Sequence, residues 1–194
     1  MNEKPILFNA EMVNAILSGR KTQTRRIISE KTLHLFGVAA SAGECHPIEL
    51  CDQRSQSYYL DFCPLGKPGD QLWVREAFAA GLCTESTLAY RATHKTEDLE
   101  EGWGETIKWT PSIHMPRWAS RINLLITGVR VERLNTISTG DAMAEGYPVE
   151  REATGGSLDA WLWFRELWDG IYPDNTFEVN PWCWVIEFER MEAK

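Results

Sequence analysis

The stretch "RINLLITGVRVERL", Arg121 to Leu134, is rich in β-favouring residues and too long for one plain strand. Gly128 stands in its middle. A glycine inside such a run marks a bulge or a sharp bend, the device by which a long strand serves a small curved sheet. The final run, "WCWVIEFER", alternates in the same spirit. Trp182, Trp184, Ile186 and Phe188 face one way and read as a core strand. Two long curved strands near the end of a chain of 194 residues restrict it to a small sheet-based domain.

The rest of the chain supplies helices for that sheet. "KPILFN" reads as a short strand. "NAEMVNAILSG" is a helix with Asn9 as N-cap, a Phe8–Val13 staple, and Met12, Ile16, Val13 and Leu17 on the buried stripe. Gly19 closes it. Residues 29–56 are weakly patterned and predict a loop-rich insertion. "QSYYLDFC" predicts a strand, "PLGKPGD" a turn, and "QLWVREAFA" a strand with Leu72 and Val74 on one face and Trp73 and Arg75 on the other. "LAYRAT" is a short strand and "TEDLEEGWGE" an acidic surface loop. "ISTGDAMAEG" is a two-turn helix with a Ser138–Asp141 capping box and Gly146 at its end. "SLDAWLWFRELWDG" is an amphipathic helix closing at Gly170. Its tryptophans suit either a core or a partner. The pattern predicts an α+β fold: a small, partly open β-barrel with packed helices and long loop insertions.

The chemistry concentrates in "GRKTQTRR", Gly19 to Arg26, which carries four cations in eight residues of a chain whose formal net charge is -8. A chain so acidic does not bind polyanions generally, so any nucleic acid must meet a local patch. Arg20, Arg25 and Arg26 surround Lys21, and like charges nearby disfavour the ammonium form. A neutral lysine is a base or nucleophile. Thr24 lies within reach of Lys21 in a turn. By spacing alone the run is as well a solvated basic turn. Glu145 sits in the last turn of its helix, where the macrodipole disfavours an anion and a carboxyl keeps its proton, a property of general acids. Pattern alone equally allows a surface glutamate beside a glycine cap.

Trp73, Arg75 and Glu76 form a second candidate group, able to stack on or grip a base. His114, Arg117 and Trp118 in "PSIHMPRWASR" form a third, since arginine and aromatic residues interleave at nucleobase and phosphate sites. A core tryptophan and a rigid loop are the plain alternatives. Cys45, Cys51, Cys63, Cys83 and Cys183 are odd in number, lack a C-x2-C pair, and give with His46 no zinc spacing, so neither a metal nor a disulfide framework is expected. No phosphate-cradling or dinucleotide glycine motif is present. The opening residues have no leader pattern and no apolar run reaches membrane length, so a soluble cytoplasmic protein without membrane contact is expected.

Taken together, "ILSGRKTQTRR", "KPGDQLWVRE", "INLLITGVRVERL", "DAMAEG" and "WCWVIEFER" resemble the ASCH family of the PUA-like superfamily, small β-barrels that handle RNA. "HMPRWASRI" and "NPWCWVIEF" are similar to its longer phage and prophage members. The resemblance implies one ASCH domain over 1–194, with insertions around 29–62, 95–118 and 148–180. In the small bacterial ASCH enzymes that hydrolyse N4-acetylcytidine, a Lys and a Thr of the basic motif act with a later Glu. By motif these map onto Lys21, Thr24 and Glu145.

The implied activity is an amidohydrolase that removes an acyl group from the exocyclic amine of a modified cytidine, without metal or organic cofactor. Either Lys21 activates Thr24 as nucleophile, or it activates water while Thr24 orients. Arg20, Arg26, Trp73, Arg75, Glu76, His114, Arg117 and Trp118 are the expected substrate contacts, and a modified nucleoside or RNA is the expected partner. A non-catalytic RNA-binding or base-reading module, and a ribonuclease using the same lysine, are the competing readings.

Overall fold

A computed structural model describes residues 2–81, 87–104 and 106–192. Cys83 and Glu105 lie outside the described residues. In chain order the elements are β1 (Glu3–Leu7), α1 (Ala10–Leu17), β2 (Gln23–Ile27), α2 (Glu30–Ser41), α3 (Gln53–Leu60), β3 (Gln71–Arg75), β4 (Phe78–Ala80) and β5 (Leu88–Tyr90). Then follow α4 (Thr96–Trp103), β6 (Asn123–Arg133), α5 (Thr139–Ala144), α6 (Val149–Glu152), α7 (Asp159–Ile171) and β7 (Trp182–Arg190).

Five strands form one sheet in the order β1-β3-β6-β7-β2, and β4 pairs with β5 apart from it. β1 and β3 are parallel, and the other pairs of the large sheet are antiparallel. The fold is α+β, and the sheet is a partly open barrel: β1 and β2 stand at its two ends and, among the described residues, do not pair with each other. The expected bulge is present, as a register shift between Ile126 and Gly128 in the β6–β7 ladder. A Cβ on Gly128 would stand 2.7 Å from Glu187 Oε2, so the strands approach where only glycine leaves room.

β7 is the central beam. Trp182, Trp184, Ile186 and Phe188 enter the main core with Phe8, Val13, Ile16, Leu72, Val74 and Leu124. Each large apolar side chain taken from water there contributes about 2 kcal/mol. The opposite face is also covered. Cys183 joins a second core with Phe164 and Trp168 of α7, so the sheet is buried on both sides along β7.

Four expectations fail for identifiable reasons. "QLWVREAFA" is not one strand: β3 stops at Arg75, Glu76 turns into its buried pair with Arg121, and β4 starts at Phe78 in the separate sheet. Residues 29–56 are largely helical, not loop: Ser29 caps α2 by accepting from Thr32 N, and Asp52 caps α3 by accepting from Arg54 N. The predicted strand "QSYYLDFC" is mostly α3. Its aromatics suit either state, and tertiary packing decides, with Tyr59 buried against Phe36, which in turn meets Trp184 edge-on. The acidic "TEDLEEGWGE" contains helix α4, which ends at Gly104 with φ +68°. Two of its side chains are tied down, Thr96 Oγ1 accepting from Trp109 Nε1 (3.0 Å) and Glu100 accepting from Ile107 N (2.9 Å). The α7 helix also runs one residue past Gly170, to Ile171. Among the described residues, no helix is long and apolar enough to cross a membrane.

Candidate functional site

The site lies where the barrel fails to close. A cavity of about 410 Å³ opens between the edge strands, lined by Leu7 and Phe8 from β1 and its exit, by Thr24, Arg25 and Arg26 from β2, and by Glu145. Arg26 spans the gap: its guanidinium donates to Leu7 O (3.1 Å) and to Thr24 Oγ1 (2.7 Å). The far wall is α7 with its C-cap: Phe164 and Trp168 of the helix and Tyr172 just past its end recur at helical spacing and present aromatic surface to the cavity.

Local sequence explains how the polar groups arrive there. Gly19, at φ +77°, turns the chain out of α1, and the Lys21 backbone N–H donates to Ala15 O (3.0 Å). Lys21 then forms a single antiparallel bridge with Glu145, the C-cap of α5. The α5 helix starts at the Ser138–Asp141 capping box and stops at Gly146, φ +107°. A Cβ on Gly146 would lie 2.9 Å from Ala15 Cβ and 3.3 Å from Lys21 Cβ. That glycine therefore lets the end of α5 press against the basic turn and sets Glu145 beside Lys21.

Lys21 is 2 % exposed and Glu145 4 %. Lys21 Nζ donates to Glu145 Oε2 and to the Glu145 carbonyl, both at 2.8 Å. The other carboxylate oxygen, Oε1, accepts from Arg25 Nη1 at 3.0 Å. One carboxylate is thus held between two buried cations. Burial is the main cause that lowers the Lys21 pKa from its ordinary value. The Glu145 carboxylate opposes the shift, and Arg26 and Arg25 add to it. Arginine repulsion was the cause expected from sequence; desolvation is the larger one.

Behind the dyad lies a charge network. Arg25 Nη2 stands 3.5 Å from Glu132 and 3.8 Å from Asp141. Arg130 holds the same two carboxylates at 2.6 and 3.1 Å and also pairs with Glu187. Gln23, almost fully buried, donates to Asp141 through its side-chain amide (3.0 Å to Oδ1). Thr24 lines the cavity, but no hydrogen bond joins it to Lys21 among the described residues; its hydroxyl oxygen accepts from Arg26 instead. The reason is strand parity: Lys21, Gln23 and Arg25 point toward α5, and Thr24 and Arg26 toward β1.

The remaining candidates lie elsewhere or play other parts. Arg20 donates to Tyr147 O (2.8 Å) and lines a neighbouring cavity of about 490 Å³ that also touches Glu145. Trp73 lies under the guanidinium groups of Arg75 and Arg117, at 5.5 and 5.8 Å, outside the cavity wall. Arg75 donates to the carbonyls of Met115 and Ile113. Glu76 is buried in a two-bond pair with Arg121 at 2.8 and 3.0 Å. His114 and Trp118 are exposed, Arg117 pairs with Glu3, and from their loop it is Ser112 that reaches the cavity. Among the described residues, no three His, Cys, Asp or Glu side chains gather as metal ligands.

The sequence marks Arg25 as a cation near Lys21 but does not show its bond to Glu145, and Phe164, Trp168 and Tyr172 are site residues outside the expected set. Two signals pointed to them. Alternation along β2 puts Arg25 on the side of Lys21, and the i, i+4, i+8 spacing in "WLWFRELWDGIY" gives one aromatic helix face.

No family model matches the chain, and no curated protein matches it. Two solved structures align with nearly all of it. An ASCH domain from Lactobacillus crispatus JV V101 is 13% identical, with a TM-score of 0.45 over 97% of this chain and 79% of that one. Protein EF3133 from Enterococcus faecalis V583 is 12% identical, with a TM-score of 0.44 over 98% of this chain and 76% of that one. At these scores neither likeness assigns a role to any residue.

Proposed function

We propose that this chain is a divergent ASCH-family amidohydrolase that removes an acyl group from the exocyclic amine of a modified cytosine. The observation that carries the reading is the buried Lys21–Glu145 pair, joined at 2.8 Å, with Glu145 and Thr24 on the wall of one aromatic cavity. A lysine with a depressed pKa hydrogen-bonded to a carboxylate can accept and return one proton, which is what amide hydrolysis requires.

In the proposed reaction Glu145 takes a proton from the attacking water and passes it to neutral Lys21. The water oxygen adds to the acyl carbon. The C–N bond then breaks, the proton returns through Glu145 to the departing exocyclic nitrogen, and the acyl group leaves as a carboxylic acid that ionises in solvent. Because Thr24 Oγ1 accepts from Arg26, its own hydrogen is free to donate to the acyl oxygen as negative charge develops there. This bonding favours water as nucleophile, with Thr24 orienting. Phe8, Phe164, Trp168 and Tyr172 offer ring surface for a pyrimidine.

The test is conversion of N4-acetylcytidine to cytidine, followed chromatographically. Wild-type turnover that is lost in Lys21→Met and Glu145→Gln, and that falls in Thr24→Val, supports the reading. Absence of turnover by folded wild-type protein, tried also on N4-acetylcytosine and acetylated RNA, removes it and leaves an RNA-binding cleft as the better account.

A further inference from the structure

We propose that Arg25 is the positioning residue of this site: it holds Glu145 by the oxygen that Lys21 does not use, keeping the carboxylate aimed and leaving Lys21 free to serve as a base. The inference rests on the amidohydrolase reading for the meaning of that base, and on geometry for the rest.

Two cations and one carboxylate meet here, each almost fully buried. Arg25 is 2 % exposed, and its guanidinium sits over the Phe164 ring at 5.8 Å. Among the described residues, its Nη1 bond to Glu145 Oε1 is the one hydrogen bond that this group makes, and Nε and Nη2 are buried with no hydrogen-bond partner. An arginine cannot shed its proton, so it stays cationic wherever it is buried. A lone Lys–Glu pair would hold the lysine proton tightly. With Arg25 on the other oxygen, the carboxylate is already balanced, and the surplus positive charge is the one on Lys21, the group able to lose it.

The surroundings agree. The charged groups facing Lys21 are Glu145 at the end of α5 and Arg25 and Arg26 from β2. Asp141 of α5 and Glu132 of β6 stand beside Arg25 but are bound more closely by Arg130, which also holds Glu187 of β7. Arg130 thereby occupies the competing carboxylates and leaves Arg25 to Glu145. Burial first, and then the two arginines, pull the Lys21 pKa down against Glu145.

The test follows the Lys21 side-chain resonance against pH in protein carrying ¹³C-labelled lysine, without substrate, with Lys21→Met to assign the signal. Arg25→Gln and the apolar Arg25→Met should raise the Lys21 midpoint by about one pH unit. Arg25→Lys, which keeps the charge, should restore it. At pH values below the wild-type midpoint the same shift should cost up to about tenfold in kcat, with little change in KM. An unchanged midpoint in a folded Arg25→Gln or Arg25→Met protein overturns the proposal, as does an equal rise in Arg25→Lys. Since the titration needs no substrate, a failed hydrolysis assay counts against the proposed reaction and not against this role.

Discussion

Glu145 and Lys21 form one ion pair, yet their removal should have unequal consequences for stability. Glu145→Gln takes away the single carboxylate that serves two buried cations, at 2.8 Å from Lys21 and 3.0 Å from Arg25. Breaking a buried pair from one side costs about 3–5 kcal/mol, because an uncompensated charge stays behind. Two features bring the value to the lower end. Lys21 can become neutral, and Arg25 keeps Glu132 at 3.5 Å and Asp141 at 3.8 Å. The expected loss is about 3 kcal/mol.

Lys21→Met instead leaves Arg25 and Glu145 as a matched pair and fills the space with an apolar chain. Its cost is the Glu145 carbonyl, which loses its bond from Nζ, about 1 kcal/mol. Urea unfolding followed by tryptophan fluorescence reads both values. With a slope of about 2 kcal/mol per molar, the midpoints should fall by about 1.5 M and about 0.5 M. Equal losses in the two variants, or a larger loss for Lys21→Met, would refute the picture of one carboxylate shared between a fixed cation and a titratable one.

Two further outcomes follow from the same geometry. Because the folded Lys21 pKa lies below that of the unfolded chain, the unfolded state binds the extra proton between the two values, so stability rises with pH across that interval. The rise ends at the ordinary lysine range near pH ~10.4 and has a slope of at most about 1.4 kcal/mol per pH unit. Unfolding at a series of pH values should show this rise in the wild type and its absence in Lys21→Met. Gly146→Ala should cost about 2–3 kcal/mol, from left-handed backbone strain and the 2.9 Å approach to Ala15 Cβ, and should lower N4-acetylcytidine turnover by moving Glu145; thermal unfolding beside the hydrolysis assay checks both.

What the sequence determined by itself is the part written in short-range rules. Caps at Asn9 and Ser138, the stop at Gly146, the bulge at Gly128 and the alternation of β7 were legible because each depends on neighbours within a few residues. The α2 and α3 helices were not: the α2 stretch is weakly patterned, the α3 aromatics suit a strand as well as a helix, and the choice falls to packing of Tyr59 and Phe36 beneath Trp184. The site divides in the same way. Lys21, Thr24 and Glu145 stand out as residues, but that Lys21 bonds Glu145 and not Thr24 depends on which side of β2 each faces. The place of Arg25 depends on it too, as does the aromatic wall from α7, some 140 residues away in sequence. Partners so distant along the chain are chosen by where the sheet stays open, and tertiary structure alone decides that.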